Sequence, residues 1–428
     1  MGAASAHAFN LLEAWHAAQN YDANFTASRS TLEAGQEKIH QGRALLLPQA
    51  SLTGSYVQNS TRQSSFLSPN NNTVTNGATR SYSFSLSQAL FDISRYAKYR
   101  QGESETRLAE IHYAIAKQQL MVDVAQAFFD ALLAQDTLAA TQAAKKAYQI
   151  QVEQARAAFE LGTATITDTY EAQAGYDGAV ANEIVAQNTV VTSATTLTRL
   201  TGLPADTIQR LSDQFMFTLP PPEPLDIWLS RALSHSLEIK KQEQQLVLTG
   251  HELTEKRAYR FPSATLTANY QSNANNNPSW SNSPSGSNTS LGITVTFPLF
   301  AGGGINAQIR EAVARQESHR YQLEAVQRKV QEDVKRRYIG VTNGIALIKA
   351  QERLLISVTS KLEATRIGKE VGIRTNIDLL KAEQDYTDTV KNLAEARYRY
   401  LNARIQLAQA VGILDETVLK SMNDLIQQ

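Results

Sequence analysis

"FELGTATITD" (159–168) interrupts a run of Ala, Gln, Glu and Leu that otherwise has the composition of one long helix. "KEVGIRTNID" (369–378) repeats its layout, a Gly followed six residues later by an Asp, with a Thr three residues before that Asp. Glycine suits the residue just past a helix C-terminus, where positive φ costs it nothing. Thr165 with Asp168, and Thr375 with Asp378, have the spacing of a capping box that opens a returning helix. Each stretch therefore predicts a reversal between two helices.

Proline marks how long those helices can be. The eleven prolines fall at 48, 69, 204, 220, 221, 222, 224, 262, 278, 284 and 298. None occurs from 70 to 203 or after 298, and proline is excluded from helix interiors by its missing N–H and its ring clash. Within these gaps Leu108, Ile115, Val122 and Phe129 recur by sevens, with Ile111, Ala125 and Leu132 between them. Val334, Tyr338, Val341, Ile345 and Ile348 step by four and three, and Leu355 and Leu362 follow. This is a narrow coiled-coil seam. A helix from 95 to 160 would run on the order of 100 Å at ~1.5 Å per residue, an elongated architecture.

The proline-bearing segments read as strands. "SYSFSLSQALF" (81–91) sets Tyr82, Phe84, Leu86 and Leu90 against Ser81, Ser83, Ser85 and Ser87. "ASLTGSYV" (50–57), "ATLTANY" (264–270) and "SLGITVTF" (290–297) alternate in the same way. Strands of about ten residues are expected, paired across polar loops at 58–79 and 271–289. A soluble sandwich also uses such strands, but here there are only four, each tied to a very long helix. Four strands cannot close a barrel alone, and an open sheet needs other chains to hide its edges.

The chain is a tandem duplication. "RALLLPQASLTGSY" (43–56) aligns with "RAYRFPSATLTANY" (257–270) at an offset of 214. Gly162, Asp168, Tyr176, Asn182 and Gly202 meet Gly372, Asp378, Tyr386, Asn392 and Gly412 at an offset of 210. The expected organisation is a signal-peptide remnant at 1–8, an N-terminal helix at 9–47, a β-hairpin at 48–92 and a helical hairpin at 93–203 turning at 161–168. A connector at 204–225 leads to a helix at 226–261, a second β-hairpin at 262–300, a second helical hairpin at 301–411 turning at 371–378, and a C-terminal segment at 412–428. Ala6-His7-Ala8 has the small-x-small form of a signal-peptidase site; an ordinary flexible N-terminus is the other reading.

Composition excludes several function classes. Forty-one basic residues balance forty-one acidic ones, so no nucleic-acid partner is indicated. Cysteine is absent, which removes disulfides and thiolate chemistry and fits an export route. The histidines at 7, 16, 40, 112, 235, 251 and 319 are scattered, none at i,i+4 from another, and read as surface or satisfied core residues. "AGGGIN" (301–306) lacks the Lys of a phosphate loop and reads as a strand-to-helix turn. Neither a catalytic cluster, a cofactor site nor a metal site is expected. No run of about 20 apolar residues exists.

Taken together, "LLPQASLTGSY", "FPLFAGGGINAQIREA" (297–312), the paired "LGTATITD" and "VGIRTNID" turns, "TTLTRLTGL" (195–203) and "ARIQLAQAVGIL" (403–414) resemble the TolC-like outer-membrane efflux and secretion proteins. The resemblance spans residues 9–415. It implies a mainly α fold with a membrane β-barrel part: duplicated helix–strand–strand–helix halves, with a homotrimer forming a 12-stranded barrel and a long α-helical barrel in the periplasm. It implies a passive exit duct in the outer membrane of a Gram-negative bacterium, in contact with outer-membrane lipid. Its partners would be a periplasmic adaptor (membrane fusion) protein and an inner-membrane ABC or proton-driven transporter. Asp378 would line the pore constriction, with Lys381 on the same helix face partly neutralising it and weakening the cation preference. Thr167, Asp168, Arg374 and Lys369 would form the links that hold the gate closed. Gly162, Thr163, Ala164, Gly372 and Ile373 would be the adaptor-docking turns. The competing reading, a coiled-coil structural or adhesin protein, accounts for the helices but not for the strands with serine faces.

Overall fold

The computed structural model describes residues 9–65, 68–204, 208, 223–276 and 286–427. The expected signal remnant at 1–8, most of the Pro-rich connector and parts of both outer loops lie outside the described residues. The chain divides into two compact units, one made of Met1–Ser30, Ile111–Lys240 and Ala325–Gln428, the other of Thr31–Glu110 and Lys241–Glu324.

The second unit contains the sheet, four antiparallel strands in the order β1-β2-β3-β4: β1 (Gln49–Ser65), β2 (Ser68–Phe91), β3 (Ser263–Asn276) and β4 (Gly286–Thr296). The register separates two chemistries. Leu52 pairs with Phe84 and Phe84 with Tyr270, while Leu266 pairs with Ile293 and Ala268 with Leu291, so the apolar residues share one face. Ser51 faces Ser85, Ser55 faces Ser81 and Thr265 faces Thr294 on the other. The serine pairs hydrogen-bond through their hydroxyls at 2.7 and 2.6 Å. The apolar face is uncovered, with Leu52 77% and Leu291 75% exposed.

The strands correct one expectation. β1 and β2 are 17 and 24 residues long, and their ladder runs on through Gln58↔Ala78 to Gln63↔Thr73, inside the stretch expected to be loop. The ladder is made by backbone groups, which Asn, Ser and Thr side chains do not prevent from pairing. β3 likewise reaches Asn276, and β4 begins at Gly286.

Helices α1 (Leu11–Tyr21), α2 (Ala23–Ala44), α5 (Leu225–His235) and α6 (Leu237–Ala258) replace the two single helices expected at 9–47 and 226–261. The breaks fall at Asp22 and Ser236, which the offset of 214 superimposes. Both have extended ψ, 121° and 123°, and both are types that favour helix starts because their side chains compete for backbone N–H groups. Asp22 Oδ1 accepts from Phe25 N at 2.7 Å. In the sheet-bearing unit, Glu255 of α6 accepts from Gln101 Nε2 at 2.9 Å and from the Tyr259 hydroxyl at 2.5 Å. Burial, with that carboxylate alongside, pushes the Tyr259 phenol up to about 12.

The first unit is helical. It takes the larger parts of α3 (Ile93–Glu160) and α7 (Gly304–Glu370), together with α4 (Ile166–Thr201), α8 (Asn376–Val411) and α9 (Glu416–Gln427). Trp15, Phe128, Phe129, Leu132, Leu197, Leu401, Ile405 and Leu419 are fully buried within it. Phe129 packs against Tyr398 at 6.2 Å between ring centroids, and the Tyr398 hydroxyl donates to Asp136 at 2.7 Å. Among the described residues, no helix is long and apolar enough to cross a membrane.

Nearer the turns, each hairpin has its own small core, and the two cores are copies. Val152, Ala172 and Tyr176 in the first correspond to Leu362, Ala382 and Tyr386 in the second. Two positions differ in chemistry, Ala155 against the buried Thr365 and Thr169 against Leu379. Thr169 stands where the second hairpin buries Leu379, and its hydroxyl is buried without a hydrogen-bond partner. An unpaired buried hydroxyl costs about 1–3 kcal/mol. Thr169→Val, which keeps the shape and removes the hydroxyl, should raise the thermal unfolding midpoint followed by helical circular dichroism. A lowered midpoint would mean that the hydroxyl is satisfied.

Candidate functional site

Both turns are closed in the same way. Gly162 and Gly372 have φ of 73° and 78°. Thr163 N donates to Ala158 O at 2.8 Å and Gly162 N to Phe159 O at 2.9 Å. Ile373 N to Gly368 O (2.8 Å) and Gly372 N to Lys369 O (3.1 Å) repeat the pattern. These paired bonds are the Schellman arrangement, in which the left-handed residue lets the chain turn back on the last carbonyls.

The returning helices open with complete capping boxes. Asp168 Oδ2 accepts from Thr165 N at 2.9 Å and from the Thr165 hydroxyl at 2.8 Å, and Asp168 N donates to Thr165 Oγ1 at 3.3 Å. Asp378 accepts from Thr375 N at 3.1 Å and its hydroxyl at 3.0 Å, with the reciprocal bond at 3.2 Å. The bonds from the threonine backbone, then from its hydroxyl, hold both carboxyls below the ordinary aspartate value.

A polar relay joins the two turns within one chain. Lys369 Nζ donates to Asn376 Oδ1 at 2.8 Å, and Asn376 Nδ2 donates to the Asp168 carbonyl at 3.4 Å. Asn376 is buried. Burial pushes the Lys369 ammonium below its ordinary value, against the raising influence of the Asp168 carboxylate. Sequence reasoning named Lys369 and Asp168 but missed Asn376. The available signal was the repeat itself, which puts Ile166 where the second turn has Asn376, a polar residue replacing an apolar one.

The other named residues are not brought together in the chain. Thr167 and Arg374 are exposed, and neither makes a side-chain hydrogen bond among the described residues; the Arg374 stem lies over Gly368. Among the described residues Lys381 makes no ion pair with Asp378. The cations that act on Asp378 are Arg374 and Lys361, and Lys361 is itself bonded to Asp385 at 2.6 Å. A helical spacing of three put Lys381 near Asp378 in sequence, but its side chain is exposed and gains little from a solvated pair. Gly162, Thr163, Gly372 and Ile373 are exposed and Ala164 half-buried. Leu161, Val371, Ile373 and Ile377 add an uncovered apolar surface to the turns. Among the described residues, no group of His, Asp and Glu could hold a metal ion.

Comparison with known proteins agrees with this architecture. The family described as outer membrane efflux protein matches residues 12–203 and 228–413. The chain is similar to the outer membrane protein TolC of Vibrio cholerae, 30% identical over 420 residues that cover 97% of this chain and 93% of that protein. It is similar also to the alkaline protease secretion protein AprF of Pseudomonas aeruginosa, 31% identical over 425 residues, covering 97% and 87%. Its fold is that of the outer membrane protein VceC of Vibrio cholerae, with a TM-score of 0.77 at 17% identity over 94% of this chain and 96% of that one.

The capping boxes carry a pH dependence whose sign is fixed. Both aspartates have folded-state values below the unfolded one, so their contribution is complete above the unfolded value, about 4, and is lost as pH falls through the folded values. Hydrogen-exchange protection of residues 163–170 and 373–380, corrected for intrinsic rates, should therefore fall below that pH. In Asp168→Asn and Asp378→Asn the local protection should be lower at neutral pH and should not fall further in acid.

Proposed function

Because the chain belongs to the outer membrane efflux protein family, we propose that it is the exit duct of an efflux pump or type I secretion system, placed in the Gram-negative outer membrane. It is a channel and not an enzyme. The observation that carries the reading is the sheet: four strands with one face apolar and uncovered, the other lined by Ser and Thr, and both edges, β1 and β4, unpaired within it. Membrane-spanning strands need such alternation and a closed ladder. Three copies close the ladder at twelve strands, with the serine face toward the lumen. The duplicated helical hairpins form the periplasmic wall. The C-terminal segment, with α9 (Glu416–Gln427), belongs to its equatorial girdle.

The turns are the gate. Asp378 from three chains faces the axis at the constriction and favours hydrated cations. Arg374 and Thr167, which make no side-chain hydrogen bond among the described residues, link neighbouring copies, while Lys369, Asn376 and Asp168 tie the two hairpins of each copy. The turn residues Gly162, Thr163, Ala164, Gly372 and Ile373 receive the adaptor, which couples the duct to an inner-membrane ABC or proton-driven transporter. The similarity to AprF, an alkaline protease secretion protein, supports export as the class of task.

Conductance of the full chain in planar bilayers tests this. The native protein should form trimeric pores, and absence of any conductance would overturn the duct reading. Lys369→Ala and Asn376→Ala should each raise closed-state conductance severalfold by freeing one hairpin from the other, as should Arg374→Ala between chains. Asp378→Asn should lower cation selectivity or block by divalent cations; an unchanged reversal potential and unchanged block would remove Asp378 from the constriction.

A further inference from the structure

The sheet is nearly free of charge, and where its charges stand is informative. Residues 49–91 and 263–296 contain no Asp or Glu and only two basic residues, Arg62 and Arg80. The register puts both on the apolar face, since Arg80 pairs with Tyr56 and Arg62 with Val74, in step with Leu52↔Phe84. The nearest acidic residue along β2 is Asp92, twelve residues away, about 40 Å at ~3.3 Å per residue. The counter-charge for Arg80 therefore has to come from outside the sheet.

Arg80 stands at a boundary in composition. On the helix-joined side of it the face carries Tyr82, Phe84, Leu86, Leu52, Tyr270 and Leu291; on the far side it carries Ala78, Asn76, Gln58 and Ser60. The guanidinium lies 5.8 Å from the Tyr56 ring centroid, which holds it against the end of the apolar band. Tyr56, Tyr82 and Tyr270 are exposed on the same face, as interfacial aromatics are at the edge of a bilayer. Arg80's partner in β3 is Ala274, and Ala78 lies two residues on, so small side chains leave open space on that flank. Gln58 and Ser272 sit at the diagonal positions of the same face, within reach of a group bound there. A planar fork of donors with an amide and a hydroxyl beside it, on a lipid-facing surface, suits a phosphate monoester.

We propose that Arg80, with Tyr56, Gln58 and Ser272 around it, is a headgroup site for a phosphorylated glycolipid of the outer leaflet, one per protomer. This rests on the outer-membrane reading, which puts the strand ends remote from the helices at the outer surface. Arg62 lies six residues farther along β2's partner ladder, about 20 Å beyond, and does not reach the same phosphate.

The test measures binding of fluorescent diphosphoryl lipid A to the full chain in phosphatidylcholine nanodiscs. Arg80→Gln should weaken binding about tenfold or more, the loss expected for a charge-assisted hydrogen-bond pair. Arg80→Lys should retain part of the affinity, and Arg62→Gln should leave it unchanged. Dephosphorylated lipid A should bind the native chain as weakly as the phosphorylated form binds Arg80→Gln. Equal affinity for native and Arg80→Gln chains overturns the site, as does equal affinity for the two lipids. Displacement by inorganic phosphate at the same phosphate concentration would assign the site to a free anion and also overturn it. If Arg80→Gln does not insert, the lipid comparison on the native chain decides alone. Conductance of the native chain in phosphatidylcholine bilayers separates the two readings: without it the duct fails, and with it only the headgroup site is at stake.

Discussion

A β-sheet that meets lipid has to pair every backbone N–H and C=O, because no water is present to satisfy them and each orphan costs several kcal/mol. The four strands of this chain meet that demand internally at three ladders, β1 with β2, β2 with β3 and β3 with β4. The outer edges of β1 and β4 are left over. The same sheet exposes leucine, isoleucine, valine and tyrosine on one face while the other carries paired serine hydroxyls. A single chain in lipid leaves those edges unpaired, and in water it leaves the apolar face uncovered. Lipid covers the apolar face, and closing the ladder at both edges takes pairing from outside this sheet.

Duplication supplies the staves economically and leaves its imprint in places where chemistry has no reason to differ. The breaks at Asp22 and Ser236, the turns at Gly162 and Gly372, and the cores around Tyr176 and Tyr386 are copies. Arg156 with Gln173 in the first hairpin becomes Arg366 with Glu383 in the second, the same cross-helix contact at 2.9 and 3.2 Å with a charge added. Where the copies match, fold is being served. Where they diverge, as at Ile166 against Asn376 or Thr169 against Leu379, something besides fold has acted on the pair.

Legibility in the sequence followed the range of the interactions. The turns were readable because a Schellman glycine and a Thr-x-x-Asp box act over six residues, and the structure has both motifs with every bond made. The faces of the strands were readable because side-chain direction alternates strictly along a strand. The strand ends were not, since Asn and Ser mark turns only on average and the ladder through Gln58 and Ala78 is set by the partner strand. The helix breaks at Asp22 and Ser236 were passed over because a capping residue inside a long periodic run looks like any surface polar residue.

The turn residues show that limit most sharply. Asn376 sits where the first repeat has an isoleucine, and its amide is used at both ends, accepting from Lys369 and donating to the Asp168 carbonyl. The second contact is not visible from residues 369–378 alone, because the Asp168 end belongs to the other hairpin. The relay gives the half-buried ammonium of Lys369 a neutral acceptor rather than a carboxylate, with the Asp168 charge felt only at longer range. A direct buried ion pair would exact a large desolvation cost and would break at a large penalty. An amide-mediated link is weaker and costs less to separate. That is the physical character a junction needs if one hairpin is to swing away from the other and return.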